Sequence, residues 1–200
     1  MTAPDPPATD AGTRPPRPRG TFRLVLLGVL VLALLASAGC LVWLLAERRG
    51  AADRAQSERD AALRQAEQFV LRLNTYGPGQ LDDQGRLPGY RQQVSEVITP
   101  KFAADFERSG LPIAEQIVVK QRYGRTAEVY GAGVESIGPA DATVIVAAGL
   151  TGSYPDPQHP KDRSQRVETD PDVLRWEVDL VRSDGDWRVD DYAPVSEERR

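Results

Sequence analysis

Residues 24–46 read LVLLGVLVLALLASAGCLVWLLA, 23 positions without a charged side chain. At about 1.5 Å per residue such a helix is about 34 Å long, enough to cross a hydrocarbon core of about 30 Å. In that medium only a helix satisfies its own backbone, because no water is present to take the unpaired groups. The rest of the chain must therefore be read as material held next to an apolar rod. Three readings of the run compete. One is an uncleaved signal anchor. The second is a secretory signal with Ala36-Ser37-Ala38 as its cleavage site, and the third a lipoprotein signal ending at Ala38-Gly39-Cys40. Signal h-regions span about 7–15 residues. This run continues through Leu41-Val42-Trp43-Leu44-Leu45, and Ser37 stands where a lipobox carries Leu, so length favours the anchor.

Orientation is harder to read than presence. Arg14, Arg17, Arg19 and Arg23 precede the span, and Arg48, Arg49, Arg54 and Arg59 follow it. The positive-inside rule counts Lys and Arg and so returns a tie. A short basic tail before a first span favours a cytoplasmic N-terminus and an extracytoplasmic C-terminal part.

Charge and cysteine usage restrict the remainder. The net charge is −4, with residues 1–23 carrying +2. The chain beyond them is therefore acidic and offers no basic patch for nucleic acid. Cys40, the one cysteine, lies inside the apolar run, which excludes a disulfide-stapled scaffold and thiol chemistry in the polar part.

Residues 1–22 are Pro- and Arg-rich without apolar periodicity and read as a disordered cytoplasmic tail. Residues 23–46 are the transmembrane helix and 47–60 a juxtamembrane helix. A single domain occupies 61–195, and 196–200 form a charged tail. Helical periodicity runs over 51–75, where Ala62, Leu63, Ala66, Phe69, Val70 and Leu73 recur at three- and four-residue spacing. Tyr76-Gly77-Pro78-Gly79 is expected to stop that helix through its glycine. A second amphipathic stretch, 89–108, shows Val94, Val97, Ile98, Phe102 and Phe106; Pro100 divides it, with Thr99 as N-cap of the second piece. From Glu115 the pattern reads as strand, opening with Ile117-Val118-Val119. Residues 125–137 alternate, and Gly131 and Gly133 suit a bulged or curved strand. Residues 143–150 are apolar on both faces, as in a covered central strand. Residues 151–171 read as a long polar loop. Leu174, Trp176, Val178 and Leu180 alternate with charged neighbours, and Ser183-Asp184-Gly185-Asp186 turns into Trp187-Arg188-Val189 as a hairpin. Helices followed by antiparallel strands predict an α+β domain with helices on one face of a curved sheet.

No catalytic constellation emerges. His159, the single histidine, lies in a proline-rich loop, and no Cys/His cluster has metal-ligand spacing. The aspartates after position 170 do not follow a calcium-loop pattern. Gly131-Ala132-Gly133 lacks the third glycine of a phosphate-binding turn. A general base in an apolar cone needs an acid on the apolar face of a strand; Glu128, Tyr130 and Tyr123 come nearest. No catalytic residue, metal or cofactor is expected.

The order of these elements resembles the Mce-associated membrane proteins of actinobacteria. The residues that carry the resemblance are Asp60-Ala61-Ala62 through Leu73-Asn74-Thr75-Tyr76, Leu81-Asp82, Val97 through Phe106, and Ala132-Gly133-Val134. Asp141 through Val146 and the hairpin from Val178 through Asp191 complete the set. The 77–90 loop is richer in Gly and Pro than that pattern. The resemblance implies an NTF2-like or cystatin-like cone and a non-enzymatic accessory role in Mce complexes that move lipids or sterols across the envelope. Expected partners are then the membrane and Mce subunits, with no nucleic acid and no small-molecule ligand. Two other roles fit the same architecture. One is a membrane-anchored assembly component of a secretion or septal complex. The other is a small-lipid binder or isomerase-like enzyme using the cone, which requires an open mouth with a buried polar residue rather than an interior filled by Trp176, Trp187, Phe69 and Phe102.

Overall fold

A computed structural model describes residues 19–159, 162 and 165–195. The readings of 1–18 as a disordered tail and of 196–200 as a charged tail fall outside these residues. Helix α1 covers Arg19–Leu73. Contacts divide the chain into two units, Met1–Ala52 and Asp53–Arg200.

In the first unit, Arg23–Leu41 is long and apolar enough to cross a membrane, and none of it is buried in protein. Leucine side chains such as Leu24 and Leu34 stand more than 70 % exposed. A helix apolar on all sides is stable only where something apolar surrounds it, which makes this segment the candidate anchor.

The second unit is an α+β domain, as the element order predicted. Ala62, Ala66, Phe69 and Val70 bury the inward stripe of α1. Glu58, one turn before that stripe, accepts hydrogen bonds from Arg182 and, at 3.2 Å, from Trp187 Nε1, tying α1 to the hairpin of the sheet. The helix is closed by Asn74, not by the Gly77 stop read from the sequence. The Asn74 backbone N–H and Nδ2 both donate to the Val70 carbonyl, at 3.2 and 2.9 Å. Gly77 is extended at φ −177°, a conformation open to any residue, and a Cβ there would lie in ordinary contact at 3.4 Å from the Gly124 Cα.

Helices α2 (Pro88–Ser95) and α3 (Pro100–Asp105) divide where Pro100 predicted. Thr99 caps α3 by accepting from the Phe102 N–H at 3.2 Å. A π turn over Phe106–Gly110 leads into α4 (Leu111–Gln121). This corrects the strand expected from Glu115. Ile117-Val118-Val119 is β-branched and reads locally as strand. Yet Leu111, Ala114 and Val118 lie at helical spacing and are all buried, and that burial outweighs a weak propensity. Arg122 ends α4 in the left-handed region at φ 52°.

Five antiparallel strands follow: β1 (Gly124–Ile137), β2 (Asp141–Pro155), β3 (Arg166–Glu168), β4 (Asp172–Ser183) and β5 (Asp186–Pro194). The order is β1-β2-β4-β5, with β3 also paired to β2. The expected 151–171 loop is thus shorter, because β2 runs on to Pro155 and β3 pairs with its end. Bulges between Val129 and Gly131 and between Val134 and Ser136 bend β1 where its glycines predicted. The hairpin turns at Asp184 (φ 53°) and Gly185 (φ 92°), the two positive-φ positions of a two-residue turn.

Strand β2 is central, but only one of its faces is sealed. Ala142, Val144, Val146 and Ala148 are buried under the helices, whereas Thr143, Ile145 and Ala147 on the other face are half-buried. Parallel bridging of Ile98 to Val189 fastens the helical layer to β5.

Candidate functional site

The helix-covered sheet face is filled over most of its length. Phe69, Val146, Val178, Leu180 and Val189 have at most 1 % exposure, and Trp176 and Trp187 are buried. Phe102 packs on the Phe69 ring at 5.8 Å between centroids. Among the described residues the buried polar side chains are Asn74 and Thr99, so no buried residue is a carboxylic acid.

Beyond Trp176 the face opens into a cleft of about 360 Å³ between the end of α1 and the far ends of β1, β2 and β4. Two strands of main chain set its position. The Tyr76 N–H donates to the Arg125 carbonyl at 3.0 Å, and the Arg125 N–H returns a bond to Tyr76 at 2.8 Å. Arg125 pairs in register with Gly152, which puts it on the inner face. Its Nε donates to the Tyr123 hydroxyl at 3.2 Å. Its guanidinium carbon lies 5.7 Å from the Tyr76 ring centroid and 5.8 Å from that of Tyr123, within cation–π range. Tyr123 in turn packs on Tyr154 at 4.9 Å. Tyr90 supports the assembly from below, stacking on Tyr76 at 5.1 Å and donating to the last α1 carbonyl, Leu73, at 2.8 Å. Burial raises the phenol pKa of Tyr76, Tyr90 and Tyr192, and all three are neutral hydrogen-bonding groups at neutral pH. For Tyr192 the charge of Asp191 adds to burial while Arg125 opposes it.

Of the three residues put forward as nearest to a general base, Tyr123 reaches this cleft and Glu128 and Tyr130 do not. Glu128 pairs with Gly149, whose neighbours Ala148 and Val146 define the inner face, so Glu128 points outward and is exposed. Tyr130 falls in the bulge and lies over Gly149 on the outer face, where an added Cβ would meet its Cζ at 2.7 Å. His159 is in an exposed turn with Nδ1 2.7 Å from Asp156. Among the described residues no group of His, Cys, Asp or Glu is arranged to hold a metal. Arg125 itself escaped sequence reasoning, since a single Arg opening a strand is indistinguishable from a solvated one. Its proximity to Tyr76, 49 positions earlier, exists only in the fold.

No protein-family model matches the chain, and no curated protein matches it. Several solved structures do. An NTF2-like protein involved in plasmid conjugation aligns at 14 % identity over 70 % of this chain and 50 % of its own, with TM-score 0.43. The alignment therefore spans half the length of that protein. An IcmL-like type IV secretion system protein from Legionella pneumophila subsp. pneumophila str. Philadelphia 1 aligns at 12 % identity over 68 % of this chain and 92 % of its own, TM-score 0.43. A periplasmic fragment of TraM aligns at 7 % identity over 65 % and 91 %, again with TM-score 0.43. At these scores the likeness is remote, and the α+β description rests on the element order and sheet register above.

Proposed function

We propose that this chain is a non-enzymatic, single-pass membrane accessory protein, with its N-terminus cytoplasmic and its α+β domain outside, that scaffolds an Mce-type lipid or sterol transport complex. The observation that supports a scaffold over an enzyme is the filled interior. Phe69, Trp176 and Trp187 occupy the space where a cone-shaped enzyme would keep substrate, and the buried polar groups there are an amide and a threonine that holds a helix cap. General acid–base chemistry needs a titratable group within hydrogen-bond reach of substrate. The exposed apolar helix supports the anchor, and the residues from Asp60 through Tyr76 and the hairpin carry the Mce-associated reading.

The test is purification of the detergent-solubilised full chain from its native membranes, with mass spectrometry of what accompanies it. Mce subunits and their permease at near-equal stoichiometry are expected. Recovery of secretion or septal proteins would transfer the assignment to that kind of assembly, and recovery of the chain alone would overturn scaffolding altogether.

A further inference from the structure

Arg125 is a half-buried cation without an anion. The ion pairs among the described residues engage Arg72, Arg86, Arg91, Lys101, Arg108, His159 and Arg182, and Arg125 is not among them. Its Nε is used by Tyr123, and its two terminal nitrogens make no hydrogen bond to a described residue. They are not sealed in protein, since no buried side-chain nitrogen is left without a partner. They reach solvent, and Arg125 is one of the residues lining the cleft. The Tyr123 hydroxyl and the Tyr76 and Tyr123 rings offset the desolvation of this guanidinium, so it stays charged while its terminal nitrogens remain open to an added anion.

A second, independent observation concerns the walls. Tyr154, Leu174 and Tyr192 all line this cleft, yet they stand 42, 38 and 37 % exposed. These side chains offer an apolar surface within a lining that is otherwise polar, with Asn74, Thr169 and the tyrosine hydroxyls beside them, so an occupant must carry both an apolar body and polar groups. Gly152 lets the Tyr123 ring lie directly on the strand, because a Cβ there would come within 2.9 Å of it. Asp172 also lines the cleft and forms no ion pair with Arg125. This acid repels any bound anion and repels a phosphate dianion about twice as strongly as a monoanion, so of the anions a monoanion is opposed least.

We propose that the cleft binds a small organic monocarboxylate with an apolar or aromatic body. The carboxylate lies on the two terminal nitrogens of Arg125 in the bidentate geometry that guanidinium offers, and the body rests against Tyr154, Leu174 and Tyr192. The inference stands independently of the scaffold reading and amends the expectation that no small-molecule ligand is bound.

The test uses the full chain in nanodiscs of zwitterionic lipid, with empty nanodiscs subtracted, and ligand-observed saturation-transfer NMR. The probes are 3-phenylpropionate, its neutral alcohol 3-phenylpropanol, and acetate. Binding of 3-phenylpropionate alone is expected at sub-millimolar concentration. Arg125→Gln weakens it roughly tenfold or more, the scale of a lost charge-assisted pair. Asp172→Asn tightens it by about threefold through removal of a like charge. If Arg125→Gln fails to fold, Arg125→Lys, which keeps the charge and loses the fork, and Asp172→Asn decide the matter. Equal binding of the alcohol and the acid, wild-type affinity in both Arg125 variants, or no saturation transfer from 3-phenylpropionate would overturn the proposal.

Discussion

At one end of the inner sheet face Val144, Val178, Leu180 and Val189 meet Phe69 and Ile98 with at most 1 % exposure. At the other end of the same face Arg125, Tyr154, Leu174 and Tyr192 surround open space. Both ends are built on the same strands and covered by the same helix. They differ in that the closed end satisfies every side chain internally, whereas the open end leaves a cation and three large apolar groups to be completed from outside. Stability and recognition are thus weighted to different ends, joined by Tyr192, which lines the cleft and also packs edge-on against Phe69 at 5.3 Å. A substitution at either end should report on one property more than the other.

The separation can be broken most forcefully at the closed end. Phe69→Ala removes a fully buried ring contacting Phe102 and Tyr192. A loss of about 3–5 kcal/mol is expected in urea unfolding followed by near-UV circular dichroism. A loss below about 1 kcal/mol would show that this end is not the stability core. Gly152→Val lies at the boundary. The new side chain collides with Tyr123, and a cost of about 1–3 kcal/mol together with lost 3-phenylpropionate binding is expected. Retained binding would show that the cleft does not need this glycine.

Thr99 tests the fastening of helices to sheet. Its hydroxyl caps α3 and donates to Asp190 Oδ1 at 2.8 Å, so Thr99→Ala should cost about 1 kcal/mol. Asp190 also accepts from Lys101 at 2.7 Å. The Lys101 and Thr99 hydrogen bonds hold its carboxyl below the ordinary aspartate value of 3.8. A depressed folded pKa stabilises fully above the unfolded value and is lost as pH falls through the folded one. The stability difference between the wild type and Asp190→Asn should therefore be constant near neutrality and shrink below pH 3.8. A difference that persists into stronger acid would remove Asp190 from the account. The smallest effect is expected at the open end. Leu174→Ser should change stability by no more than about 0.5 kcal/mol while weakening 3-phenylpropionate binding, so a large loss of stability there would erase the distinction between the two ends.

Much of the closed end was legible in the amino-acid order. Alternation of Trp176, Val178 and Leu180, the Asp184-Gly185 turn, the Thr99 cap and the bulge glycines of β1 are local signals, each readable within a few residues. The open end was not. Glu128 and Tyr130 were attractive as chemistry-bearing residues, but pairing with Gly149 turns that segment's odd and even positions the other way, and Arg125 takes the inner face. A one-residue change in strand register exchanges the faces, and no short pattern specifies register where a strand is half polar on both sides.

The amino-acid order by itself determined the apolar helix, the α+β class, the position of the hairpin and of the Thr99 cap, and most of the buried set. These follow from hydrophobic periodicity and turn chemistry, which act over a single turn or strand. Only the tertiary structure decided that Ile117–Val119 coils into α4, that β2 continues to Pro155, and that Arg125 meets Tyr76 and Tyr123 without an acid. Those outcomes depend on which distant surface each segment finds to cover it. Burial over many residues is worth more than the local preference of any one of them.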